Sequence, residues 1–158
     1  MEDLIVRRAE IGEIDVLLSF EQGIIRTERP FDPTLKPGEI HYYDLRKLVS
    51  SPDAEVLVAV SDGKIVGSGF ADIRRADDYF KHERYAHFGF MYVEPAYRGR
   101  GVIQMILEGL KKWALAKGVG ELRLEVYDAN AAAVKAYEKA GFKRHVLKMR
   151  MEVSEEKF

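Results

Sequence analysis

The apolar positions of this chain switch between a spacing of two and a helical spacing, and each switch marks an element. Residues 4–9, LIVRRA, predict a short strand. Ile11, Ile14, Leu18 and Ile25 then recur at helical spacing, so residues 10–28 read as a helix that Gly23 weakens. RPFDPTLKPG holds three prolines and a glycine and makes residues 29–38 a loop. A second helix is predicted over 39–49. Residues 54–60 (AEVLVAV) and 64–74 (KIVGSGFADIR) read as strands joined through Asp62-Gly63, a hairpin signal. The polar stretch 74–84 is a loop or a helical turn. YAHFGFMYV, residues 85–93, predicts a strand; residues 101–117 predict a helix closed by Gly118; residues 121–127, ELRLEVY, predict another strand. Asn130 opens a helix that Gly141 stops. HVLKMRMEV, residues 145–153, alternates with Leu147, Met149, Met151 and Val153 on one side and Lys148, Arg150 and Glu152 on the other, and predicts a last strand.

The resulting order, β-α-α-β-β-β-α-β-α-β, puts hairpins first and a β-α-β unit later. That predicts an α/β fold with a mixed sheet of the α+β type. There is no repeat and no linker, and 158 residues is the length of one domain, spanning 1–158. Hydrophobic residues are 47% and charged residues 32%, a balance that folds. Net charge is −1, from 25 basic and 26 acidic residues, which gives no overall footprint for nucleic acid. The chain has no cysteine, so disulfides, thiolate metal sites and a cysteine nucleophile are excluded. No targeting segment is visible in MEDLIVRRAEIGEIDVLL and no apolar run is long enough for a bilayer. The expectation is a cytoplasmic protein without membrane or metal partners; a homodimer is left open.

The chemistry concentrates in VEPAYRGRGVIQMIL, residues 93–107. A strand ends, a turn with two arginines and two glycines follows, and a helix begins at once. A helix N-terminus presents amides without intrahelical partners and partial positive charge. Gly99 and Gly101 allow close approach to that backbone, and Arg98 and Arg100 add charge, so the turn suits a phosphate or pyrophosphate. A plain strand-to-helix turn with solvated arginines is the competing reading. A P-loop is excluded because no Lys-Ser or Lys-Thr follows, and a dinucleotide fingerprint would need glycine where Gln104 stands.

RLEVYDANAAAVKAYEKAGF, residues 123–142, sharpens the picture. Asn130 stands at a helix start and Tyr137 follows seven residues later, nearly two turns, so both can project to one side. Together with VEPAYRGRG, this resembles the GNAT superfamily of N-acetyltransferases, most specifically over residues 85–142. The resemblance implies a sheet whose fourth and fifth strands splay apart to admit acetyl-CoA. It implies that the pantetheine arm pairs with the backbone of Met91, Tyr92 and Val93, and that the pyrophosphate rests on the turn of Arg98, Gly99, Arg100, Gly101, Val102 and Ile103. By the same resemblance, the Met91 amide would polarise the acetyl carbonyl, Asn130 would bind pantetheine and Tyr137 would protonate the departing thiolate. Ile103 departs from the family pattern, which has a small residue there.

Without a cysteine, direct attack by a primary amine in a ternary complex is the natural route. His87, counted back from Val93, falls on the strand face of Gly89 and Met91 and is a candidate base; Glu125 and a water relay are the others. The competing readings make His87 structural, Tyr137 ordinary packing and Asn130 only an N-cap; the spacing of Asn130 and Tyr137 after the turn favours function for those two. The resemblance places the acceptor, a small-molecule or peptide amine, on RTERPFDPTLKPGEIHYYDL, where Glu28, Asp32, Glu39 and Asp44 stand among Phe31, His41, Tyr42 and Tyr43. Two readings from other classes remain: a non-catalytic acyl-CoA sensor, and a nucleotide-binding module using the same turn.

Overall fold

The computed structural model describes residues 3–155. Its strands are β1 (Leu4–Arg8), β2 (Ala54–Ser61), β3 (Lys64–Arg75), β4 (Arg84–Val93) and β5 (Leu122–Leu124), and its helices α1 (Ile14–Glu28), α2 (Leu45–Ser50), α3 (Val102–Ala116) and α4 (Ala131–Lys139). The strands form one sheet in the order β1-β2-β3-β4-β5. The first four run antiparallel and β4–β5 is parallel. The β2–β3 hairpin turns at Asp62 and Gly63, both with positive φ, the conformation a two-residue turn requires.

Alternation along β2 divides its side chains between two cores. Val56, Val58 and Val60 pack with Leu17, Phe20 and Ile24 of α1 and Leu45 and Val49 of α2. Leu57 and Ala59 pack with Val102, Ile106, Leu107, Leu110 and Ala114 of α3. The sheet is therefore covered on both faces, and each buried aliphatic side chain contributes roughly 1.5–3 kcal/mol. Gly23 lies inside α1 without interrupting it, and glycine there has a steric reason: a Cβ would stand 2.5 Å from the Tyr92 ring, which also stacks on Phe20 at 4.7 Å.

Four expectations are corrected. Ile11 lies in a 3₁₀ turn before α1 and is 51% exposed, and the buried stripe runs instead through Ile14, Leu17, Phe20, Ile24 and Ile25. The second helix starts at Leu45 rather than near 39. The Tyr42 and Tyr43 amides bond to the Glu21 carboxylate, and the Ile40 carbonyl accepts from Gln22, so this segment stays extended until Asp44 caps Lys47. β5 is three residues long rather than seven, because β4 runs beside it only that far. The strand expected over 145–153 does not form: those residues carry no secondary structure and are exposed, and among the described residues no strand pairs with them.

Candidate active site

The site is built on an irregularity in β4. Between Gly89 and Tyr92 that strand takes three steps where β3 takes two, from Phe70 to Ser68. The extra residue sits at Phe90, whose φ is +61°. Holding a bulky residue there costs about 1–2 kcal/mol. The fully buried Ser68 hydroxyl donates to the Phe90 carbonyl at 3.0 Å, and the Phe90 ring is buried 5.4 Å from that of Tyr43, which offsets the strain. The bulge resets the alternation. Ala86 and Phe88 belong to the α3-side core, Phe90 and Tyr92 to the α1 side, Met91 and Val93 again to the α3 side. The sequence expectation that His87 shares a face with Met91 is thereby corrected. His87 lies near Phe70 on the α1 side, 6.2 Å ring to ring, and a Cβ on Gly89 would press on the same Phe70 ring.

The bulge also ends the parallel pairing. β4 and β5 match only at Ala86↔Leu122, His87↔Arg123 and Phe88↔Leu124. Beyond that point, β4 residues 89–93 leave an edge that β5 does not cover: the fourth and fifth strands splay.

At the end of this edge lies the turn. After Val93 a 3₁₀ turn, Pro95–Tyr97, leads into Gly99 and Gly101 with φ of +75° and +82°. A Cβ on either glycine would meet nothing within 4 Å, so the conformation demands glycine and the space beside it is open. No side chain caps α3, which begins at Val102. Arg98 anchors the turn by donating from Nε to the Val93 carbonyl at 2.9 Å; its guanidinium stands 5.7 Å from the Tyr92 ring, and that of Arg100 stands 5.6 Å from Tyr97. Val102 is buried, and Ile103 packs half-buried against the α3-side core. Gln104 donates to the Ala136 carbonyl at 3.1 Å, linking α3 to α4.

α4 flanks the other side of the splay. Asn130 caps it, its side chain accepting from the Ala133 amide at 3.3 Å. Tyr137 packs edge-on to Phe142 at 6.1 Å, and Phe142 in turn to Phe88 at 5.8 Å, the residue at which β4–β5 pairing stops. Burial and then the charge of Glu28 push the Tyr137 phenol up to about 12. Glu28 ends α1, on the opposite face of the sheet, so its field reaches Tyr137 across the splay. Glu28 is itself held above the ordinary carboxylate range, mainly by burial. His87 is held below 6.5 by burial and by Arg74, against the pull of Asp72 and Glu125. A neutral imidazole at pH 7 is the form a base requires.

The segment 29–44 is fixed by carboxylates. Glu21 is fully buried; one oxygen receives the Tyr42 and Tyr43 amides, each at 2.9 Å, and the other meets His41 Nδ1 at 2.7 Å. Glu21 and Glu39 raise the His41 imidazole above 6.5. The Tyr43 ring thereby seats against Phe70 at 5.2 Å and against Phe90. The Tyr42 hydroxyl is buried without a hydrogen-bond partner among the described residues, and burial, then the nearby Glu28 carboxylate, holds it above its ordinary range. Asp32 accepts from the Tyr127 hydroxyl at 2.5 Å, joining this segment to the chain just after β5.

The description "Acetyltransferase (GNAT) family" fits residues 22–142, three-quarters of the chain. The chain belongs to the GNAT acetyltransferase family. This acetyltransferase is 35% identical over 96 residues to the acetyltransferase ECA0875 of Pectobacterium atrosepticum, a match spanning 60% of each protein. It is 26% identical to the aminoglycoside N(6')-acetyltransferase type 1 of Salmonella typhimurium, over 67% of this chain and 74% of that one. A predicted acetyltransferase of Clostridium acetobutylicum, solved with acetyl-CoA, superposes with a TM-score of 0.69 at 18% identity, over 94% and 96% of the two chains.

In this acetyltransferase, the positions expected to bind the cosubstrate lie along one line: Met91, Tyr92 and Val93 on the open edge, then the turn from Arg98 to Ile103. Asn130 and Tyr137 lie on the helix opposite. The sequence reading missed Glu21 and Tyr127. Glu21 had a signal, since it falls between Leu17 and Ile24 on the buried stripe of α1, where a carboxylate must find partners. Tyr127 had none, because its partner Asp32 is 95 residues away.

Proposed function

We propose that this acetyltransferase moves an acetyl group from acetyl-CoA to a primary amine by direct attack in a ternary complex. The observation that carries the reading is the open β4 edge at 89–93, bounded by the uncapped N-terminus of α3 and by Tyr137. The open space beside Gly99 and Gly101 fits a pyrophosphate against the amides of residues 99–103. The Ile103 side chain is engaged with the core, so it leaves that approach clear. Met91, Tyr92 and Val93 offer backbone groups to the pantetheine arm, and the Met91 amide is the donor to the acetyl oxygen. Asn130, already a cap, keeps its amide nitrogen for the same arm.

Tyr137 serves as the donor to the departing thiolate. With its phenol near 12 and a thiol near 8.5, full proton transfer is uphill by about 3.5 units, or ~5 kcal/mol. The hydroxyl therefore stabilises sulfur charge as a hydrogen-bond donor. His87, neutral and on the α1 side, takes the proton from the amine, directly or through water; Glu125 is the alternative base. The acids and aromatics around Glu28, Asp32 and Tyr42 favour a cationic small-molecule amine, in keeping with the aminoglycoside-modifying relative.

The test is thiol release from acetyl-CoA over a wide amine panel; the chain contributes no thiol background of its own. Expected is release that depends on a cationic amine, with intersecting double-reciprocal lines. Parallel lines with an acetylated protein formed before amine is added would overturn direct attack. CoA binding without turnover of any amine would instead make the protein a sensor. If His87 is the base, the acid limb of kcat/KM lies below pH 6.5, and His87→Ala removes it; a limb that survives the substitution assigns the role elsewhere.

A further inference from the structure

β3 and β4 bring an acid, a base and a cation together on the α1 side of the sheet. Phe70 packs on that side and Ala71 on the other, so alternation returns Asp72 and then Arg74 to the α1 side. Asp72 is the register partner of His87, and Phe70 stands diagonally from that histidine, 6.2 Å ring to ring. Directly opposed residues of an antiparallel pair have Cβ atoms about 4.5–5.5 Å apart, which lets a carboxylate reach an imidazole.

The Asp72 carboxylate is engaged through one oxygen only. Oδ2 accepts from Arg74 Nε at 3.1 Å. Oδ1 is buried and has no hydrogen-bond partner among the described residues. A carboxylate oxygen in that state has lost water without replacement, a cost that folded chains ordinarily avoid. A donor that arrives during the reaction would remove the cost. The neighbours of His87 leave this task to Asp72. Burial and then Arg74 hold the imidazole down, and Asp72 and Glu125 draw it up. Arg123, its register partner on β5, is held by Glu121 at 3.1 Å and stands over the rings of Phe80 at 4.7 Å and Tyr85 at 5.5 Å. From the segment before α2, the Tyr43 ring meets this part of the sheet at Phe70.

We propose that Asp72 is the positioning residue for His87, its Oδ1 receiving the imidazolium N–H that forms when His87 takes the amine proton. The inference rests on His87 as the base. In that step the nitrogen lone pair forms the C–N bond, the C–S bond breaks with its electron pair left on sulfur, and one N–H proton moves to the imidazole. Asp72 takes no proton. It turns the ring and balances a charge that appears only as the proton arrives, so its effect falls on the transition state. Arg74 occupies Oδ2 and leaves Oδ1 for the ring.

Two substitutions with opposite expected signs test this. The His87 imidazole is followed by proton NMR, its signal assigned among the four histidines by its loss in His87→Gln. Asp72→Asn removes the negative charge, so the imidazole titration and the acid limb of kcat/KM should both fall by about 1 pH unit. The plateau kcat should fall by about 10-fold with acetyl-CoA KM unchanged, and Asp72→Glu should recover part of the loss. Arg74→Gln, at an exposed position, should move both titrations upward by about 0.5 unit. An imidazole titration that stays in place in folded Asp72→Asn rejects the pairing. If Asp72→Asn does not fold, an unmoved titration in Arg74→Gln rejects it instead. A titration that moves while the acid limb stays would leave the contact but remove His87 as the base, and the positioning role would fall with it.

Discussion

The two regions proposed to hold the substrates are shaped by different physics. The cosubstrate region, β4 to α4, is shaped by backbone: a bulge at Phe90, two left-handed glycines, an uncapped helix and a short parallel pairing. The acceptor region, from the end of α1 to α2, has only a 3₁₀ turn between its helices and is shaped by side-chain carboxylates that replace the missing backbone partners. A backbone site tolerates exchange of most side chains but not of its glycines. A carboxylate-held site depends on single side chains and on pH.

The sharpest break of this contrast is Gly101→Asp. It combines a left-handed backbone with a carboxylate facing a diphosphate, so acetyl-CoA KM should rise by ~10³ or more. Near-normal KM in a folded variant would remove the phosphate site. Next is Glu21→Ala, which leaves two half-buried amides and His41 without their acceptor. A loss of ~3 kcal/mol in urea unfolding is expected, together with a larger rise in amine KM than in acetyl-CoA KM. Glu21→Gln keeps one oxygen acceptor and should recover part of both; equal damage to the two KM values would erase the distinction between the regions. Tyr137→Phe keeps the packing on Phe142 and removes the donor. Its kcat should fall by about 10²-fold with CoA affinity little changed. A fall in CoA affinity with unchanged kcat would make it a binding contact.

The smallest effect is a titration. His41 is raised above 6.5 in the folded protein, so its charged contact with Glu21 stabilises fully below 6.5 and is lost as pH rises through the raised value. The Tm advantage over His41→Ala should therefore be greatest near pH 5.5 and shrink toward pH 8.5. A constant or growing difference would assign the contact no charge component.

The same contrast explains what could be read from sequence. The hairpin at Asp62-Gly63, the turn around Gly99 and Gly101, and the stops at Gly118 and Gly141 were legible because each depends on residues adjacent in the chain. So was the helix that Asn130 caps and Tyr137 sits in, because its cap and its glycine stop are local signals. The Phe90 bulge was not legible: nothing local forces phenylalanine to positive φ, and the strain is held by Ser68 from a neighbouring strand. The start of α2 was misplaced because residues 40–43 would follow their own periodicity if Glu21 did not take their amides. The tail over 145–153 has a clear strand pattern, yet a pattern specifies a face and not a partner.

The hydrogen bond between Asp32 and Tyr127 links the two regions at the splay. Tyr127 follows the strand beside which we propose that acetyl-CoA lies, and Asp32 belongs to the segment proposed to carry the amine. A cosubstrate that settles the end of β5 therefore also settles the acceptor segment, and the entropy of ordering the link is lost once rather than twice. Thermodynamic reciprocity then binds the two affinities together: whatever factor CoA contributes to amine binding, the amine returns to CoA. We expect Tyr127→Phe to lower both by the same factor in the ternary complex while leaving each binary affinity nearly intact, which makes one phenol the measure of how far two substrates sense each other.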